Sequence, residues 1–211
     1  MNIRIAHCFI AALVSIGPGA PALRAEENYY MMLFAYEGAA VRDTHTFAAF
    51  VKTDSDAGKP PVTVHSISWL PTTIDVKLLR APEVGVNLTL DETLKVAASR
   101  NLRIVAWGPY KIEKKLFDRA VGAIEVLKSG TVGYKALDRR YRIGGALNCI
   151  HAVSDIAEAP LLDTGTASGS AATALVRNHF NPWILENGRR HDWLINSLGL
   201  HRYTIAYADP R

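Results

Sequence analysis

Four consecutive residues, Asn148-Cys149-Ile150-His151, bring together a helix-capping amide, a thiol and an imidazole. Cysteine is nucleophilic as the thiolate, so it needs a group to take its proton or an environment that favours the anion. Asn148 is a good N-cap residue for a helix predicted over Ile150–Ala159, because its side-chain oxygen can accept a free backbone N–H one turn on. Cys149 then falls in the first turn, where unpaired amides and the helix dipole favour a thiolate. The competing reading is a small buried hydrophobe, the role most free cysteines play.

A base for that thiol has to come from elsewhere in the chain. Residues 44–52 and 62–70 read as two strands of a hairpin around the turn-rich segment Asp54–Pro61. Alternation puts His45 on the face of Phe47, Ala49 and Val51, and His65 on the face of Thr63, Ile67 and Trp69. If positions 45 and 65 fall opposite each other, or two residues apart, both imidazoles share one face. A register one residue away separates them. His151 lies one turn into the helix and is assigned a packing or hydrogen-bonding role beside the thiol.

The remaining elements follow from periodicity. Residues 28–36 are expected to form a buried strand. Thr89 to Glu92 resembles a capping box that opens a helix running towards Arg100. Arg103–Trp107 is predicted as a strand ended by Gly108-Pro109. Leu116, Phe117, Ala120, Val121, Ile124 and Leu127 form the apolar stripe of a helix over Glu113–Ser129. Residues 163–172 read as loop, followed by helical pieces and a closing strand at Tyr203–Ala208. Neither a repeat nor a long linker interrupts the pattern, so one α+β domain over residues 26–211 is expected.

A histidine on an early strand, a polar residue on the next strand and a distant Asn-Cys-x-His at a helix start resemble the circularly permuted papain-like hydrolases. These include the NlpC-type permuted branch, with lecithin–retinol acyltransferase-like and PPPDE-type enzymes. The resemblance covers residues 44–70 and 145–156. It implies an antiparallel sheet packed against a nucleophile-bearing helix, plus extra helices. It also implies Cys149 as nucleophile, His45 as general base and His65 as the polar group that orients the base, with Asn148 and His151 flanking the nucleophile. The activity implied is that of a cysteine peptidase-like hydrolase or acyltransferase acting on an amide or ester. The substrate would be a peptide or acyl compound of the cell envelope, by analogy a cell-wall peptide. No cofactor is implied.

Residues 1–25 read as a signal peptide, with Arg4, a short apolar run and small residues before the cut. The chain is therefore expected to be periplasmic or secreted, with no stable membrane insertion after cleavage. Loss of Arg4 and Arg24 takes the net charge from +4 to +2, and no basic stripe with interleaved aromatics suggests nucleic acid. Cys149 becomes the single cysteine of the mature chain, so no internal disulfide can form. Two other chemistries are weighed. Asp163-Thr164-Gly165 resembles the aspartic-protease signature, but it occurs once and precedes a helical run. His45, His65 and His151 lack the spacing of a metal motif. The rival of a different class is a non-catalytic secreted binding or structural domain with an inert cysteine, its groove lined by Trp69, Trp107, Tyr110, Tyr134 and Trp183.

Overall fold

Strand β1 (Asn28–Glu37) is buried along nearly its whole length, which explains why its sequence is an unbroken run of large apolar residues rather than an alternation. It pairs antiparallel with β2 (His45–Thr53) on one side and β6 (Arg103–Lys111) on the other. The computed structural model describes residues 27–54, 62–138, 145–158 and 162–208. The predicted signal peptide and most of the 54–61 turn lie outside these segments.

The main sheet has the order β3-β2-β1-β6-β9, with β3 at Val62–Ile67 and β9 at Ile205–Tyr207. All its pairings are antiparallel except β6 with β9. A smaller sheet joins β4 (Trp69–Pro71), β5 (Glu83–Asn87), β7 (Gly133–Tyr134) and β8 (Ala146–Leu147). The architecture is thus mixed α+β with mainly antiparallel sheets, as expected. The structure departs from the sequence reading in several places: the 62–70 strand is split at Ser68, and the helix over Gly169–His179 starts within the segment read as loop. Residues 83–87 form a strand, and β6 runs through Gly108-Pro109 instead of stopping there. At that point the β1–β6 register shifts between Met31 and Leu33, and Gly108 adopts φ +87° with its α-carbon pressed towards the Met31 carbonyl. A side chain would not fit, so glycine lets the strand continue through a bulge.

Helices cover both faces of the main sheet. On one face, Leu90, Leu94 and Ala97 of α1 (Leu90–Ser99) pack on Met32, Phe34, Phe47 and Ala49. The expected capping box is present: Thr89 Oγ1 accepts from the Glu92 N–H, and the Glu92 carboxylate accepts from the Thr89 N–H at 2.8 Å. On the other face, α2 (Lys114–Lys128), α3 (Cys149–Ser154) and α4 (Gly169–His179) meet Met31, Leu33, Ala48 and Phe50. Phe117, Val153 and Val176 are their contributions. The α4 helix is tied to the sheet by a Thr173 Oγ1 to Thr46 Oγ1 bond of 2.9 Å. A last helix, α5 (Trp193–Ser197), brings Leu194 against Tyr30 and Val51. No helix among the described residues is long and apolar enough to cross a membrane.

Candidate functional site

The first turn of α3 is built by one carboxylate. Asn148 is the N-cap, and its Oδ1 accepts from the His151 N–H at 2.8 Å. Asp138, on the segment leaving β7, accepts from the Asn148 backbone N–H at 3.0 Å and from Asn148 Nδ2 at 2.6 Å. It also accepts from His151 Nδ1 at 2.7 Å, while His151 Nε2 donates to the Leu162 carbonyl at 3.0 Å. Both ring nitrogens thus face acceptor oxygens, an arrangement that favours the doubly protonated ring. The Asp138 hydrogen bond, opposed by burial, accordingly raises the His151 pKa above the ordinary histidine value. Both ring nitrogens of His151 are engaged in hydrogen bonds, which leaves none free to act as a base. It ties together three segments that meet around Cys149.

Cys149 is partly exposed and not disulfide-bonded. Its sulfur accepts from the Thr46 backbone N–H, with the Cys149 and Ile150 amides also directed at it. Burial nevertheless dominates and pushes the thiol up to about 11, with a further upward push from the Asp138 charge. The helix-start amides therefore soften the desolvation of the sulfur without overcoming it, and the resting residue is a thiol. Two phenols adjoin it. Burial first, and the Cys149 charge second, raise both Tyr36 and Tyr134 well above the usual tyrosine range.

His45 begins β2 and is 1 % exposed. Its ring stacks on Phe47 at 5.5 Å between centroids and leans on Tyr36 at 5.1 Å. Nε2 is hydrogen-bonded to Ser68 Oγ at 2.9 Å, and Nδ1 has no hydrogen-bonding partner among the described residues. Ser68 is itself held: its hydroxyl accepts from Thr93 Oγ1 at 2.8 Å and its N–H donates to Asn87 Oδ1 at 2.7 Å. Burial pushes the His45 imidazole down to about 3, so it is neutral near pH 7. No hydrogen bond joins His45 to Cys149. Their link is the chain itself, since Thr46, whose N–H meets the sulfur, directly follows His45. Both residues line one cavity of about 360 Å³, whose other walls come from residues 134–138 and 162–169.

His65 does not join them. The β2–β3 register sets Phe50 opposite His65, an even position facing an odd one, so His65 lies on the sheet face away from His45. Its ring meets the edge of Phe117 on α2 at 5.6 Å, and burial lowers its pKa. The position expected for His65 beside the base is taken by Ser68, in the break between β3 and β4. Asp163 is exposed at the cavity rim, where its Oδ1 accepts from the Gly165 N–H at 2.9 Å in a turn before α4. Among the described residues around it, 162–168 and the α4 helix that follows, no strand flanks it as an aspartic-protease motif requires. Among the described residues, no three His, Cys, Asp or Glu side chains gather as metal ligands. Of the aromatic residues named as a possible groove, Trp69, Trp107 and Tyr110 are core, and only Tyr134 lines the cavity.

Asp138, Ser68 and Thr46 were not singled out by sequence reasoning. Asp138 sits in an ordinary-looking turn, and Thr46 acts through its backbone. Ser68 carried one signal, a small polar residue between Ile67 and Trp69 in an otherwise strand-like run. Comparison with protein-family models, with curated proteins and with solved structures returned no match.

Proposed function

We propose that this protein is an exported thiol hydrolase or acyltransferase of the permuted papain-like kind, with Cys149 as nucleophile and His45 as general base. Ser68 takes the orienting role first expected of His65. One observation carries the reading: a fully buried imidazole whose Nε2 is anchored while Nδ1 is unpartnered, at the cavity that Cys149 shares. Buried polar nitrogens are rarely left without a partner, and catalytic demand is one established reason. Catalytic hydrogen bonds are also often loose before substrate binds.

The chemistry follows. With Nε2–H donating to Ser68, Nδ1 keeps a lone pair. The Cys149 sulfur attacks an amide or ester carbonyl while its proton passes to Nδ1, so a resting ion pair is not required. The carbon–oxygen π electrons move onto oxygen, and the backbone N–H groups clustered at Thr46 and the start of α3 are positioned to receive that charge. Collapse expels the amine or alcohol, which takes the proton back from His45. Water or another acceptor then releases the acyl group and restores the thiol.

The test is incubation with activated acyl esters, followed by intact mass and peptide mapping. A single acyl adduct on Cys149 is expected, absent in Cys149→Ala, and formed at least tenfold more slowly in His45→Ala and in Ser68→Ala. Adducts forming equally well in His45→Ala would remove the base from the reading. The raised thiol pKa favours a second reading, a binding domain with an inert cysteine. That reading predicts no adduct until the protein is unfolded.

A further inference from the structure

The walls of the cavity identify the class of acyl group it would take. Val76, Ala136 and Leu162 form apolar lining, and Val41, Leu78 and Leu137 stand at its mouth with 53 %, 36 % and 53 % of their surfaces exposed. Leu79, next to Leu78, is 93 % exposed. Exposed aliphatic side chains scattered singly need no explanation, but three of them lining the opening of one cavity do. The charged groups facing the cavity are already engaged. Asp138 and His151 are paired with each other at 2.7 Å, and Asp163 is turned onto the Gly165 amide. A carboxylate carried into such a place would lose its water without gaining a counter-charge from these residues.

We propose that the group delivered to Cys149 is a straight, uncharged aliphatic acyl chain, which enters past Leu78 and Leu137 and seats its methylenes against Val76, Ala136 and Leu162. This rests on Cys149 acting as the nucleophile. It selects an apolar acyl donor over a carboxylate-bearing wall peptide. The carbonyl carbon stops at the sulfur, and the tail occupies the cavity. The exposed leucines form the approach.

The experiment uses the full chain with p-nitrophenyl esters from acetyl to decanoyl, together with the anionic succinyl ester. We expect kcat/KM to rise about fourfold per added methylene until the cavity is full. The succinyl ester should lag the butyryl ester by about tenfold or more. Leu78→Asp should depress the long esters at least tenfold more than it depresses the acetyl ester. A flat series, or succinyl turnover equal to butyryl, with all turnover still lost in Cys149→Ala, overturns the chain proposal and leaves the thiol chemistry standing. Binding to Cys149→Ala protein separates the two further, with the methyl ester of a fluorescent polyene fatty acid as probe and methyl decanoate as competitor. Probe binding that methyl decanoate displaces and Leu78→Asp weakens, with no Cys149-dependent turnover, supports the chain site and sinks the nucleophile. Neither binding nor turnover overturns both.

Discussion

The state of the Cys149 thiol can be tested by its alkylation as a function of pH. Burial moves this thiol from 9.0 to about 11, against the pull of the Thr46 amide. Below pH 9 every unit of upward shift removes a factor of ten from the thiolate fraction, so native Cys149 should carry about a hundredfold less thiolate than the same residue in unfolded chain. Iodoacetamide labelling at pH 8, native against urea-unfolded, should therefore differ by about that factor or more. Peptide mass spectrometry distinguishes Cys149 from Cys8. Slow access to the sulfur would also reduce the rate, but it would not move the profile. The decisive quantity is the slope: log rate should climb by about one per pH unit through pH 9 and continue past 10. His45→Ala should follow the same slope, because the neutral imidazole at rest neither holds nor stabilises a thiolate. A plateau beginning near pH 7 in the wild type, lost in His45→Ala, would mean a preformed thiolate–imidazolium pair and would refute the neutral resting state.

Three further outcomes are expected. Because His45 is held neutral down to about 3, the unfolded chain takes up a proton below pH 6.5 that the folded chain refuses, and stability falls with falling pH in that window. Between pH 7 and pH 5 the wild type should lose about 2 kcal/mol more than His45→Gln in urea unfolding, and parallel curves would contradict the burial argument. His151 has the opposite sign. Its contribution is complete below 6.5 and disappears as pH rises through its raised folded pKa. Asp138→Asn should cost about 3 kcal/mol at pH 6 and flatten that alkaline decline, read by denaturant midpoints from pH 6 to 9. Gly85→Ala should destabilise by about 1–3 kcal/mol, since its new methyl would fall 1.9 Å from the Trp69 ring across the β4–β5 pair. A thermal midpoint unchanged from wild type would show that the ring can move aside.

Much of the fold was legible because its strongest signals are local. The α1 capping box, the α2 stripe ending at Leu127 and the unbroken apolar run of β1 each depend on residues a turn or a strand apart. The failures came where a distant partner decided the outcome. Residues 83–87 carry few strand-formers, and exist as β5 because β4 and β7 supply partners on its two sides. Gly108-Pro109 looks like a strand terminator in isolation. It is tolerated because β6 bulges there, Gly108 and Pro109 together standing against the single residue Met32 of β1.

The candidate site obeys the same division, and one odd step in register explains its largest surprise. Asn148 as N-cap and Cys149 in the first turn needed only neighbours, so both were readable. His45 and His65 were equally plausible partners by type and by strand period. Pairing Phe50 with His65 puts the two imidazoles on opposite faces, because side chains alternate at every residue. The chain meets the need for a polar group beside His45 with Ser68, an odd number of residues further on and therefore on the other face from His65. The break between β3 and β4 falls at that residue, whose hydroxyl meets His45 while its N–H is taken by Asn87. Thr93 then reaches the same hydroxyl from α1, so the helix on one face of the sheet steadies the partner of His45. Thr173 of α4 steadies Thr46 from the opposite face. The start of β2 is thus gripped from both sides of the sheet at two successive residues. That rigidity is what the proposed site would require of His45 and of the Thr46 N–H, which line the cavity of Cys149.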